Sequence, residues 1–407
     1  MVMVLGVDAG GTSTRAAVLS LEGEVMGRGL AGCGNPMAAG ARVAFGNLRT
    51  ALEQALGAVD RSSVKRGVVG LAGSGLLREP AAMAAFAAVF SDLPVVPRAA
   101  GDVVVTFAAG TPAADGTVLV SGTGAIAAKI IDRAQGRLAD GYGWLLGDEG
   151  SGFWLGRAAA RVAVRELDAG TPGLLTRLVT EHLLPSSPPV AHLPPSDSAA
   201  PAFSHLPPGD STAPALSHLP PADSPPPALT DLLPADSPPP ALTDLLPADS
   251  PPPALSDLLP GDSAGAAHRG ATGPGRVDQV GELVDRIAAT VQSRPPLALA
   301  ELAPLVSMAA ADGDPAALSI VEAAAAKLAR TASEVREPLD RSPIVLAGSV
   351  LTSGGPVQQA VRELLGRRWA AAPISVAKDG AGAAAWLAAL DLLGPARAAA
   401  LHSRFVG

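Results

Sequence analysis

The sequence predicts an α/β protein interrupted by a long Pro-rich insert. Three observations lead there. Hydrophobic runs of strand length alternate with Gly-rich turns and Ala-rich segments through the first part of the chain. Helical periodicity dominates the last part and gives way to an apolar strand near its end. Between the two, the composition changes abruptly.

The strand-like runs are VMVLGV, TRAAVLSL, GVVGLAG, TVLVSG and AIAAKII. Helices are expected over Val277–Thr290, Leu297–Ala310 and Ala316–Arg336, followed by the strand SPIVLAGSV and a last helix from Ala381 to Leu393. That late strand implies that the chain returns to a sheet. Of the 39 prolines, 23 lie between Pro185 and Pro260, together with eight aspartates and no Lys or Arg. A 13-residue unit recurs there: PADSPPPALTDLL begins at Pro221 and Pro234, and PADSPPPALSDLL at Pro247. Clustered prolines remove backbone donors and block helix and sheet ladders, so 185–275 reads as a disordered, polyproline-leaning insert. What remains divides into 1–115 and a second domain formed by 116–184 with 276–407.

Composition narrows the function. The net charge of −8 equals the charge of the insert, so the rest of the chain is balanced and has no surplus of Lys and Arg with which to bind nucleic acid. The single cysteine, Cys33, excludes an internal disulfide or a cysteine-ligated iron–sulfur cluster within one chain, and it suits a reducing cytoplasm. The opening MVMVLGVDAGG lacks a basic region, and no long uncharged apolar stretch follows, so neither export nor membrane insertion is expected. His192, His205 and His218 recur at the repeat period and read as solvated residues.

Two Gly-rich turns carry the chemistry. Asp8-Ala9-Gly10-Gly11-Thr12 separates the first two strand-like runs, and Gly122-Thr123-Gly124 separates another pair. Glycines in a tight hairpin bend the chain and expose backbone N–H groups, which can cradle phosphate. No P-loop motif is present, so a matched pair of such hairpins points to a different nucleotide fold.

With Asp8 ahead of the first turn and Gly348-Ser349 closing the late strand, the pattern resembles the actin, sugar-kinase and Hsp70 superfamily. Gly141-Tyr142-Gly143-Trp144-Leu145-Leu146 followed by GDEGSG (147–152) resembles the signature of the BadF/BadG/BcrA/BcrD group, which includes N-acetylglucosamine kinase. Gly34-Asn35, GLAGSG at Gly70–Gly75 and Gly380-Ala381-Gly382-Ala383-Ala384 agree with it. The resemblance implies two RNase H-like (actin-like ATPase) domains flanking a cleft.

It further implies an ATP-dependent kinase for a hexosamine, N-acetylglucosamine at the 6-hydroxyl first. Glucosamine, N-acetylmuramic acid and glucose are the alternative acceptors. Gly10, Gly11, Thr12, Gly122, Thr123, Gly124, Gly348 and Ser349 would meet ATP, and Asp8 would hold Mg²⁺ through water. Asp102 would be the catalytic base. Gly101 stands before it, where the family usually carries Asn or His. Asn35, Asp102, Tyr142, Gly143, Trp144 and Asp148 would bind the sugar, although Tyr142 stands where these kinases usually have Trp. Cys33 reads as a packing residue. A homodimer is implied as well. The competing class is an ATPase activator of the BadF type, but its shared iron–sulfur cluster needs more thiols than the two that a pair of these chains would supply.

Overall fold

Two sheets of the same topology organise the protein. The computed structural model describes residues 1–185 and 274–407. The expected insert therefore lies outside the described residues except at its ends. The first sheet contains β1 (Met3–Ala9), β2 (Thr14–Ser20) and β3 (Val25–Ala31), then, after the short α1 (Pro36–Ala39) and α2 (Ala41–Leu56), β4 (Val64–Leu71). Helix α3 (Pro80–Ala88) leads to β5 (Arg98–Gly101) and α4 (Asp102–Ala108). The strand order is β3-β2-β1-β4-β5, antiparallel through β1, β2 and β3 and parallel through β1, β4 and β5.

The second sheet repeats this plan. Strands β6 (Gly116–Ser121), β7 (Ala125–Ile131) and β8 (Ala134–Asp140) form the antiparallel half, and α5 (Gly152–Asp168) and α6 (Leu174–Leu183) follow. Helices α7 (Pro274–Gln292), α8 (Ala303–Ala311) and α9 (Pro315–Glu334) lead to β9 (Ile344–Ala347). Then come α10 (Ser349–Thr352), α11 (Pro356–Arg368), β10 (Ile374–Val376), α12 (Gly380–Leu393) and α13 (Pro395–Val406). The order β10-β9-β6-β7-β8 matches the first sheet strand for strand, with β6, β9 and β10 parallel. This twice-repeated arrangement is the actin-like α/β architecture expected from the sequence.

Alternating layers bury the core. The outer face of the first sheet packs on α2 and α3 through Phe45, Leu48 and Phe86. Between the sheets, Val4, Leu19 and Val68 of the first meet Val118, Ile130 and Val345 of the second through α4 and α12. The helices of the second half cover the far face of its sheet. Among the described residues no helix is long and apolar enough to cross a membrane.

The elements depart from the sequence expectation in two places. Leu297–Ala310 does not form a single helix: a 3₁₀ turn (Pro296–Leu302) precedes α8, because Pro304 lacks an N–H and sits in the first turn of a new helix. Helix α13 follows α12, so the helix over Ala381–Leu393 is not the last.

Helix α12 lies on β1 with almost nothing between the two backbones. A β-carbon on Gly6 would stand 2.0 Å from the Ala381 carbonyl oxygen, and one on Gly382 would stand 1.9 Å from that of Phe405. Gly6→Ala is expected to destabilise the protein by about 3 kcal/mol in urea unfolding, because backbone has to move on both sides of the contact.

A polar knot fixes the end of α9. The fully buried Arg336 guanidinium donates to Thr117 Oγ1 (3.0 Å) on β6 and to the Asp340 carbonyl (3.0 Å), and lies over the Trp369 ring. Burial acts against ionisation of Asp340, but Lys129, Ser342 and Arg336 outweigh it and bring the carboxyl down from 3.8 to about 2. A depressed carboxyl stabilises the fold above its unfolded pKa and loses that contribution as pH falls through the folded one. Asp340→Asn is therefore expected to flatten the fall in melting temperature between about pH 4 and pH 2.

Candidate active site

The first Gly-rich turn is the hairpin between β1 and β2. Gly10 N–H donates to the Ser13 carbonyl (3.0 Å), Gly34 N–H to that of Gly10 (2.9 Å) and Ala72 N–H to that of Ala9 (3.0 Å). These bonds bring the Gly34-Asn35 and GLAGSG segments to the hairpin. Asn35 caps α1 through Oδ1, which accepts from Met37 N–H (2.9 Å), and Oδ1 faces Gly73 closely. Cys33 is half-buried, and its carbonyl accepts from Asn47.

Gly10, Gly11, Gly122 and Gly124 all keep negative φ, contrary to the expectation that the turns need glycine for their bend. Gly10 and Gly122 have open space at the β-carbon position, with no heavy atom closer than 3.7 Å, whereas a β-carbon on Gly124 would stand 2.8 Å from Asp148 Oδ1. A β-carbon on Gly11 would meet no heavy atom within 4 Å.

The second hairpin joins β6 to β7 and is braced from three sides. Gly122 and Thr123 carbonyls accept from Gly152 N–H (2.7 Å) and Phe153 N–H (3.2 Å) at the start of α5. Gly348, at φ 82°, presses against Ser121 and Gly122, where a β-carbon would stand 2.3 Å from the Ser121 oxygen. Asp148 Oδ1 accepts from Ala125 N–H (2.9 Å) and sits against Gly124. Beside the hairpin opens a cavity of about 250 Å³ lined by Gly122, Thr123, Ser349 and Ser353 on one side and Pro304 and Ser307 on the other. The hairpin and Ser349, singled out separately in the sequence, thus border one space.

The GYGWLLGDEGSG segment is a loop organised by a residue that sequence reasoning passed over. Asp140, at the end of β8, accepts from Gly141 N–H (2.8 Å) and Asp148 N–H (2.6 Å) on Oδ1, and from Glu149 N–H (2.9 Å) on Oδ2. An Asp directly before a Gly-rich loop is the available signal, since such a side chain gathers nearby backbone donors. Asp148 is 7% exposed, and burial raises its pKa, with the Ala125 N–H opposing and Asp140 adding to the rise. The loop tip is open: Tyr142 is 69% exposed, while Trp144, next to Gly143, is 38% exposed and leans on Phe153 at 5.6 Å.

Asp102 is the first residue of α4. Burial raises its carboxyl, and its own N–H and that of Val103 oppose the rise. It acts on a second carboxylate. Burial pushes Asp8 from 3.8 up to about 6, Asp102 and Asp379 add to the rise, and Arg15 opposes it. Asp379 caps α12 through Ala381 N–H (3.1 Å) and pairs with Arg28 (2.7 Å). Asp8 Oδ2 lies where a β-carbon on Gly380 would have to go. Three carboxylates from β1, α4 and the cap of α12 therefore share one neighbourhood. Sequence reasoning found the first two.

Residues 5–172 match the model of the BadF/BadG/BcrA/BcrD ATPase family. This stretch holds both hairpins, Asn35, Asp102 and the GDEGSG loop. A comparison with curated proteins finds no match. Among solved structures, a protein of Chromobacterium violaceum provisionally named an N-acetylglucosamine kinase aligns with a TM-score of 0.57 at 20% identity, over 95% of this chain and 99% of that one. A protein of Porphyromonas gingivalis with the same provisional name aligns at 0.54 and 17% identity, over 93% and 95%. At these identities the likeness is one of fold, and it extends across nearly the whole of both relatives.

Asp140→Ala is expected to free the loop from its anchor while leaving the sheets intact. Amide exchange of Gly141, Asp148 and Glu149 should speed up about 10- to 100-fold, because each loses a bond to a charged acceptor.

Proposed function

We propose that the protein is an ATP-dependent sugar kinase whose acceptor is a hexosamine, N-acetylglucosamine at its 6-hydroxyl before glucosamine, N-acetylmuramic acid or glucose. The observation that carries this reading is the half-buried carboxyl of Asp102, partly desolvated and near enough to Asp8 to raise it, in a fold with two phosphate-type hairpins. The family match and the fold shared with the two provisionally named kinases support it.

In the reaction, the acceptor hydroxyl passes its proton to the Asp102 carboxylate as its oxygen bonds to the γ-phosphorus. The bond from that phosphorus to the β,γ-bridging oxygen breaks, and ADP leaves. The backbone of Gly10, Gly11 and Thr12 and of Gly122, Thr123 and Gly124 would meet the phosphate oxygens. Gly348 and Ser349 would border the adenosine in the adjoining cavity.

Asp8 fits a magnesium ligand. Its carboxyl is desolvated beside further carboxylates, and Arg15 offsets only part of the resulting rise. When bound through water, Mg²⁺ would neutralise phosphate charge. Asn35 keeps its amide nitrogen for the sugar, and Asp148 keeps Oδ2. Tyr142 and Trp144, flanking Gly143, offer flat faces to its C–H groups. The reading includes a cytoplasmic setting and a homodimer formed through the helices of the second half.

ADP release with Mg·ATP and a panel of the four sugars tests the proposal. Stimulation by one of them, reduced about 100-fold or more in Asp102→Ala, is the expected result. Turnover indifferent to every sugar and to Asp102 would sink it. The pH profile adds a second check. A base raised by burial is protonated at higher pH than an ordinary carboxylate, so the acid limb of kcat is expected above the usual range near 4.

A further inference from the structure

The two sheets bring their edge strands together at one place, and a side chain outside the site described so far occupies it. β5 is an edge of the first sheet and β8 an edge of the second. A β-carbon on Gly101, the last residue of β5, would stand 2.8 Å from Gln135 Oε1 and 3.9 Å from its Cδ. Gly101 sits at φ −61° and ψ 142°, a conformation open to any residue. The backbone therefore does not require glycine there, and a side chain in that place would meet only the far end of the exposed Gln135 side chain. The next residue is Asp102.

Register gives the direction of Gln135. It lies opposite Ile130, and Leu138 lies opposite Ala128. The register shifts between these two pairs, and Gln135 remains the partner of Ile130, on the face where Ala128 and Ile130 pack with Val103 and Val104 of α4. Gln135 thus projects from the second sheet toward the helix that begins with Asp102. The residue is exposed, and its amide makes no hydrogen bond among the described residues.

We propose that Gln135 is an acceptor-binding residue: its amide hydrogen-bonds hydroxyls of the sugar from the second sheet while Asp102 engages the sugar from the first. Gly101 is the opening that admits it. An amide offers a donor and an acceptor together, the pairing that adjacent hydroxyls of a polyol need. The proposal rests on the sugar-kinase reading, and it makes the grip on the sugar depend on both halves of the fold.

The test is steady-state kinetics and calorimetric sugar binding on the full chain, using the sugar that stimulates the unaltered protein. Gln135→Leu keeps the side chain's reach without its hydrogen bonds, and Gly101→Ala fills the space the amide occupies. Each is expected to raise the KM and Kd for sugar about 5- to 10-fold, leaving the KM for ATP within about twofold. The double variant should be no worse than either single one, because both remove the same contact.

An unchanged sugar KM in Gln135→Leu, or single effects that multiply in the double variant, would overturn the proposal. So would parallel losses for sugar and ATP accompanied by a fall in melting temperature, which would make Gln135 merely structural. If no sugar stimulates the unaltered protein, the kinase reading itself falls and takes this proposal with it. That outcome is distinct from an active enzyme indifferent to Gln135.

Discussion

The cleft depends on the contact between α12 and β1, where two backbones meet across glycine. Gly6 lets the helix come down onto the strand, Gly382 lets α13 close over it, and Gly380 leaves room for the Asp8 carboxylate. Close approach maximises dispersion contacts, and fixed backbones do not relax when pushed. The same contact sets Asp8 beside the cap of α12, which brings Asp379 into its field. Mutual repulsion among desolvated carboxylates is unfavourable, and such an arrangement persists only where the surrounding packing over-determines it. Here the packing is a helix that cannot retreat without opening the layer between the sheets.

The two halves share a topology but hold their hairpins differently. The second is fixed by the start of α5, by Gly348 and by the Asp148 carboxylate. The first is tied through single backbone bonds from Gly34 and Ala72. The first hairpin is thus linked to the segments bearing Asn35 and Gly73, while the second is linked to the helices around the cavity. Each hairpin connects phosphate-type backbone to a different neighbouring surface.

Much of this was legible in the sequence. The central strands β1, β2, β4, β6 and β7 carry apolar runs because most of their residues are buried, and both hairpins announced themselves through glycines between such runs. Edge strands such as β3, β8 and β10 are half-exposed and carry no such pattern. Asp140 and Asp379 were missed because their importance lies in which backbone N–H groups the fold delivers to them. At Gly6 and Gly380 the reason for glycine is proximity to another element, which a sequence does not display.

The loop held by Asp140 has a further consequence. Its geometry is set at the base, by one carboxylate and by residues 140 and 148 at positive φ, whereas Leu145 and Leu146 at the tip are 74% and 79% exposed. The scaffold is therefore nearly indifferent to what the tip displays. Substitution at the tip is thus a matter for what the loop touches, and substitution at the base a matter for whether the loop keeps its shape, since three hydrogen bonds to one side chain hold it.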